Sequence, residues 1–90
     1  MNIDFNKINE TYGEDVLELI KENIEDITEN INYLQKLNFT DIEDIFERYT
    51  LIFIDSPSAF EDKINNLINE LGEDYNEIIG NDLSVLESLM

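Results

Sequence analysis

Histidine is absent from the ninety residues of this chain. That removes the imidazole base, the Ser-His and Cys-His nucleophilic pairs and the standard zinc sites together. Cysteine is absent too, so there is no disulfide framework and no thiolate chemistry, a composition that suits a reducing compartment. The three glycines, Gly13, Gly72 and Gly80, lie too far apart for a phosphate-cradling loop, and the simplest role for each is a helix cap. The longest purely apolar run, Leu51 to Ile54, cannot cross a bilayer, and the start "MNIDFNKINE" carries acids where a secretory signal needs bases and an apolar stretch. These absences predict a soluble, cytoplasmic, non-enzymatic protein without a cofactor.

Bases are scarce as well: five lysines and arginines stand against 22 acids, for a formal charge of -17. Such a surface repels phosphates and anionic lipids, so neither direct nucleic-acid binding nor membrane binding is expected. A basic protein partner, cation binding and plain solubility remain. The hydrophobic share of 42% is ample for a globular fold, and the acids are interleaved with it rather than gathered into a tail. The length fits one domain over residues 1–90 with a thin core.

What is present is helical periodicity. Val16, Ile20, Ile24, Ile27, Ile31 and Leu34 recur at spacings of four and three between Gly13 and Asn38, the stripe of an amphipathic helix. One straight rod over that span measures about 36 Å. Either later helices cover all of it, or part of the stripe is left for another molecule, or the helix breaks near Asn23 or Asn30. Thr40 and Glu43 have the spacing of a capping box, which opens a second helix carrying Ile42, Ile45, Phe46, Tyr49, Ile52 and Phe53. The burst "LIFID" then reads as the buried last turns of that helix, with a strand as the alternative. Ser56 with Pro57, or Ser58 with Glu61, starts a third helix whose stripe is Phe60, Ile64, Leu67, Ile68 and Leu71 and which stops at Gly72. Two short helical pieces follow, Asp74 to Ile79 and, with Asp82 as cap, Leu83 to Leu89. Ile3, Phe5 and Ile8 suit a first short helix closed at Gly13, or a loose arm over residues 1–12. The fold class predicted is all-α, a small bundle of four to six helices.

"DIEDIF" from Asp41 aligns with "DYNEII" from Asp74 at an offset of 33 residues, which also brings Ile31 onto Ile64 and Leu34 onto Leu67. This helical-pair pattern, running from Asn32 to Ile79, resembles the repeats of the mitochondrial transcription termination factor family. That resemblance implies helical-hairpin repeats. The family's second-helix proline is missing from "ERYTLIFID", and its basic nucleic-acid-gripping surface is replaced here by acid, so only the architecture is carried over.

Paired carboxylates such as Asp41 with Glu43 or Asp44 with Glu47 are candidates for acid-base work or calcium, but none sits in a glycine-turn calcium loop. The stronger expectation is a solvated acidic face that meets a basic protein. The residues predicted to form it are Glu18, Glu22, Glu25, Asp26, Glu29, Asp44 and Glu47, with Tyr33 and Tyr49 as anchors. Arg48 is expected to pair with a neighbouring acid. A nucleic-acid mimic that blocks a nucleic-acid-binding protein, a divalent-cation-binding protein and a homodimer joined through the Gly13 to Asn38 stripe are the alternatives.

Overall fold

The computed structural model describes residues 4–89. Six α-helices follow one another with short turns: α1 Phe5–Tyr12, α2 Glu14–Glu22, α3 Ile24–Lys36, α4 Ile42–Arg48, α5 Pro57–Leu71 and α6 Tyr75–Asn81. Two 3₁₀ segments, Thr50–Ile54 and Leu83–Leu89, come after α4 and α6. The described residues contain no strand, so the fold is all-α, and the 3₁₀ segments carry the helical count past the expected four to six. The N-terminal stretch is helical from Phe5; Ile3 lies outside the described residues.

The long stripe does not make one rod. Asn23 interrupts it at φ -111°, ψ 21°. Its side-chain amide donates to the Leu19 carbonyl at 2.8 Å, while its backbone N–H is shared between the carbonyls of Leu19 (3.1 Å) and Ile20 (3.2 Å). Two donors on one carbonyl loosen the helical ladder there, the competition that makes asparagine a poor helix interior. The second stop is Asn38, at φ 63° the one non-glycine residue in the left-handed region among the described residues. The N–H of Phe39 bonds back to Leu34 and that of Asn38 to Gln35, the six-to-one and five-to-two pairing of a Schellman cap.

Other terminators behave as their chemistry asks, with corrections. Ser56 caps α5 with Pro57 in the first turn, its Oγ accepting from the Ala59 N–H at 3.4 Å. Gly72 closes α5 at φ 82°. The Thr40–Glu43 capping box does not form: α4 begins at Ile42 with Asp41 as N-cap and no side-chain bond there. Glu43 is therefore second in the helix, where its charge meets the helix dipole but cannot reach back to the cap. Gly80 is not a cap either, since α6 continues through it to Asn81.

The helix through "LIFID" also changes character. Tyr49 breaks α4 at φ -126°, ψ 44°, and the chain goes on as 3₁₀. The Thr50 hydroxyl takes the Phe46 carbonyl, the acceptor that the Thr50 N–H would use in a continued α-helix. Rewinding to three residues per turn keeps Ile52 and Phe53 buried. Phe53 then sits between Phe46 and Phe60, with both ring-centroid separations 5.2 Å, and ties α4 to α5.

The 33-residue offset holds for every later element. α3 and α5 begin at residues 24 and 57, α4 and α6 at 42 and 75, and the 3₁₀ segments at 50 and 83. Equivalent positions are buried in both units: Ile27 and Phe60, Ile31 and Ile64, Leu34 and Leu67, Phe46 and Ile79, Phe53 and Leu86. α3 packs on α5 at the joint. Asp55, in the connection, is held from both sides, its carbonyl by Asn30 at 2.9 Å and its carboxylate by Lys63, the residue one offset beyond Asn30. The units differ on one face, where half-buried Tyr33 and Leu37 give way to exposed Asn66 and Glu70. A polar outer face of this sort lets a stacked array meet water.

Candidate functional site

α1 lies against α2 and reaches α4 through two side chains 40 and 35 residues away in sequence. The Lys7 ammonium bonds the Glu47 carboxylate at 2.8 Å. The Tyr12 hydroxyl donates to the carbonyls of Glu47 (2.8 Å) and Arg48 (3.0 Å), acceptors left open by the end of α4. Between these elements and the end of α3 opens a cleft of about 570 Å³, walled by Asp41, Glu43, Asp44 and Glu47 with Gln35 and Thr40 at its edge. Lys7 is its single basic group. The Glu47 hydrogen bond and charge, with Asp4 and Asp44 behind them, push the Lys7 ammonium above its ordinary range.

The predicted acidic residues separate into distinct places. Asp44 and Glu47 belong to this cleft. Glu22, Glu25 and Asp26 surround the Asn23 break, in a depression of about 410 Å³ shared with Lys21. Glu29 and Tyr33 line a third pocket, of about 300 Å³, where α3 meets the start of α5. Glu18 is exposed on α2.

Tyr49 is a correction. It is buried in the core and is no part of the surface. Burial pushes its hydroxyl above the usual tyrosine range, Glu87 and Asp82 add to the shift, and Arg48 opposes it. Tyr33 stays half-buried, its hydroxyl bonded to Asn65 Oδ1 on α5.

Four of the five cations are already engaged, Lys7 with Glu47 among them. Arg48 pairs with Asp44 at 3.4 Å on α4, as expected, and Lys63 with Asp55, while the Lys21 ammonium lies 5.9 Å from the centre of the Phe5 ring. Among the described residues no group of three or more carboxylates is placed to hold a metal ion, and no helix is long and apolar enough to cross a membrane. The stripe offered to a second copy is largely consumed within the chain: Ile20, Ile27, Ile31 and Leu34 are buried and Val16 and Ile24 pack against the same cluster.

Asp41, Glu43 and Lys7 were not among the predicted surface residues. Acid density alone marks Asp41 and Glu43, but nothing local marks Lys7, because its partner arrives through the tertiary fold.

Compared with known proteins, the chain matches no family model, no curated protein and no solved structure.

Proposed function

We propose that this chain is a non-catalytic, acidic interaction module that binds a basic protein surface in the cytoplasm. The α1–α4 cleft carries the reading: four carboxylates converge on a space of about 570 Å³ in which the chain's own Lys7 already rests on Glu47. A partner's lysines or arginines find there the geometry that the internal ammonium uses. Field from the whole -17 surface speeds encounter and orients the partner, and the cleft supplies the local fit. The 33-residue recurrence supports tandem helical repeats, similar in architecture to those of the mitochondrial transcription termination factor family, with the gripping surface turned acidic. The cysteine-free composition supports the compartment.

One observation favours a second reading. Glu18 with Glu22 on α2 and Glu25 with Glu29 on α3 are exposed pairs at the helical spacing of four, set on either side of the Asn23 break. Within each pair the Cβ atoms lie about 5–6 Å apart, and such rows of carboxylates would stand in for phosphates against a nucleic-acid-binding protein.

Calorimetric titration with an oligolysine peptide separates the two. Neutralising Asp41, Glu43 and Asp44 together to the amides is expected to weaken binding about tenfold, and neutralising Glu18, Glu22 and Glu25 to do much less. The reverse order favours the mimic. Equal weakening means that charge acts without a site, and the cleft reading fails.

A further inference from the structure

The break at Asn23 is a slight one. Its backbone N–H still reaches the Leu19 carbonyl at 3.1 Å, and its own carbonyl still accepts from the Ile27 N–H at 2.9 Å, both of them bonds of an unbroken helix. Only the dihedrals depart, φ -111° and ψ 21° lying roughly 50° and 60° from helical values. The apolar stripe crosses the break in register, with Ile20, Ile24 and Ile27 all packed in one cluster. The corresponding junction one offset later is different in kind: Ser56 is extended, at φ -57° and ψ 149°, and Pro57 follows, so no continuous helix can form there.

On one side of Asn23 lies a hairpin, α1 and α2, that holds itself together. Gly13 turns it at φ 92°, and at its open end the Lys21 ammonium lies 5.9 Å from the centre of the Phe5 ring. On the other side the two repeat units begin at once, α3 starting at Ile24. The hairpin covers the first unit through separable contacts: Ile8 and Ile20 enter the core, Lys7 bonds Glu47, and the Tyr12 hydroxyl takes the carbonyls of Glu47 and Arg48. Ile20 stands one offset before Phe53 and two before Leu86, all three buried, so the hairpin fills the place that a preceding unit would fill.

Helical values at Asn23 would make α2 and α3 one straight run and carry α1 away from α4. In a single chain that uncovers Ile8 and Ile20 and separates Lys7 and Tyr12 from their acceptors. A second chain opened in the same way offers every one of those partners, and exchange of the identical element between copies restores them all. We propose that Asn23 is a hinge on which two copies of this chain exchange their α1–α2 hairpins, each hairpin docking on the other copy's α4 with α2 and α3 straight. The asparagine side chain opposes the exchange, because its amide competes for the Leu19 carbonyl and keeps the bend. Two chains of charge -17 also repel, so salt favours the exchanged dimer. Exchange is independent of what the acidic cleft binds, since the pairs on α4 are the same in both forms.

The test is light scattering on the full chain at about 0.5 mM and about 0.3 M salt, where mass action and screening favour association. Asn23→Ala removes the competing amide and favours helix at both hinges of a dimer, and is expected to lower the dimer dissociation constant about tenfold relative to the native chain. Asn23→Gly loosens the bend but disfavours helix, and is expected to stay monomeric at the same concentration. Lys7→Glu and Glu47→Lys, each in the Asn23→Ala chain, show which copy supplies the hairpin. Alone, each opposes like charges in its monomer and in its own dimer. Mixed, only an exchanged heterodimer restores both opposite pairs, and native mass spectrometry is expected to find it about threefold above the statistical share. An Asn23→Ala chain that folds and stays monomeric, equal dimerisation of the glycine variant, or statistical mixing of the charge variants overturns the proposal. Should Asn23→Ala fail to fold, the same mixing in the native background decides, and the absence of a heterodimer excess there overturns the exchange.

Discussion

Asn30, in the middle of α3, donates its side-chain amide to the Phe53 carbonyl at 2.9 Å across 23 residues of sequence. The second hydrogen goes to Asp55, so one buried side chain fastens both the 3₁₀ segment and the connection to α5. Asn30→Leu keeps the volume and removes both donors, leaving the Phe53 carbonyl buried without a partner. The expected loss is about 2–4 kcal/mol in urea unfolding followed by circular dichroism. A loss under about 0.5 kcal/mol would mean that the apolar replacement offsets the missing bonds.

Two glycines predict opposite outcomes for one substitution. Gly72 sits at φ 82°, ψ -162°, a region that side chains other than hydrogen rarely enter, so Gly72→Ala is expected to cost about 1–3 kcal/mol. Gly80 lies within α6 with open space where a Cβ would stand, and Gly80→Ala is expected to add about 0.5–1 kcal/mol. Thermal melts of the two variants check the pair, and the same sign for both contradicts the backbone assignments.

Tyr12→Phe keeps the ring against the core and removes one hydroxyl. Its two acceptors, the carbonyls of Glu47 and Arg48, close the end of α4. The expected cost is about 1 kcal/mol, with faster amide exchange confined to α4 and the Tyr49 break. Protection lost evenly over the whole chain would instead point to a packing defect.

The Asp82 carboxylate accepts from both the hydroxyl and the backbone N–H of Ser84, which holds its pKa below the ordinary carboxyl range. A lowered folded-state pKa contributes stability at pH values above the unfolded carboxyl pKa, and that contribution is lost as pH falls through the lowered folded value. Ser84→Ala is expected to move the Asp82 midpoint upward in a carboxyl ¹³C titration. An unchanged midpoint would leave the Ser84 hydroxyl without a role there.

Long-range repulsion acts on the whole surface, because 22 acids face five bases. Raising salt from about 0.02 M to about 0.5 M shortens the reach of each charge from over 20 Å to under 5 Å, and the melting temperature is expected to rise. A fall would show that the ion pairs Lys7–Glu47, Arg48–Asp44 and Lys63–Asp55 outweigh the repulsion.

Much of the fold is local and therefore legible without coordinates. Gly13, Ser56 with Pro57 and Gly72 end or start helices because a positive φ, a hydroxyl at the cap or a missing N–H acts within a few residues. The stripes from Ile20 to Leu34 and Phe60 to Leu67 follow from 3.6 residues per turn, and the 33-residue echo follows from repeating that pattern with its stops.

Where the long helix breaks is a different matter, since Asn23 and Asn30 carry the same side chain on the same periodic run. Asn30 stays helical because its amide finds the Phe53 and Asp55 carbonyls across the core; Asn23 has turned its amide on Leu19 in its own helix, and the ladder opens there. The placement of Lys7 beside Glu47 is decided in the same way, by a group forty residues distant. Composition and spacing determined the helices, most of their stops and the acidity of their outer faces. The tertiary structure alone decided which asparagine bends the chain and which acids share a cleft, because a side chain's hydrogen-bonding options are set locally while the partner that claims them arrives only when the core closes.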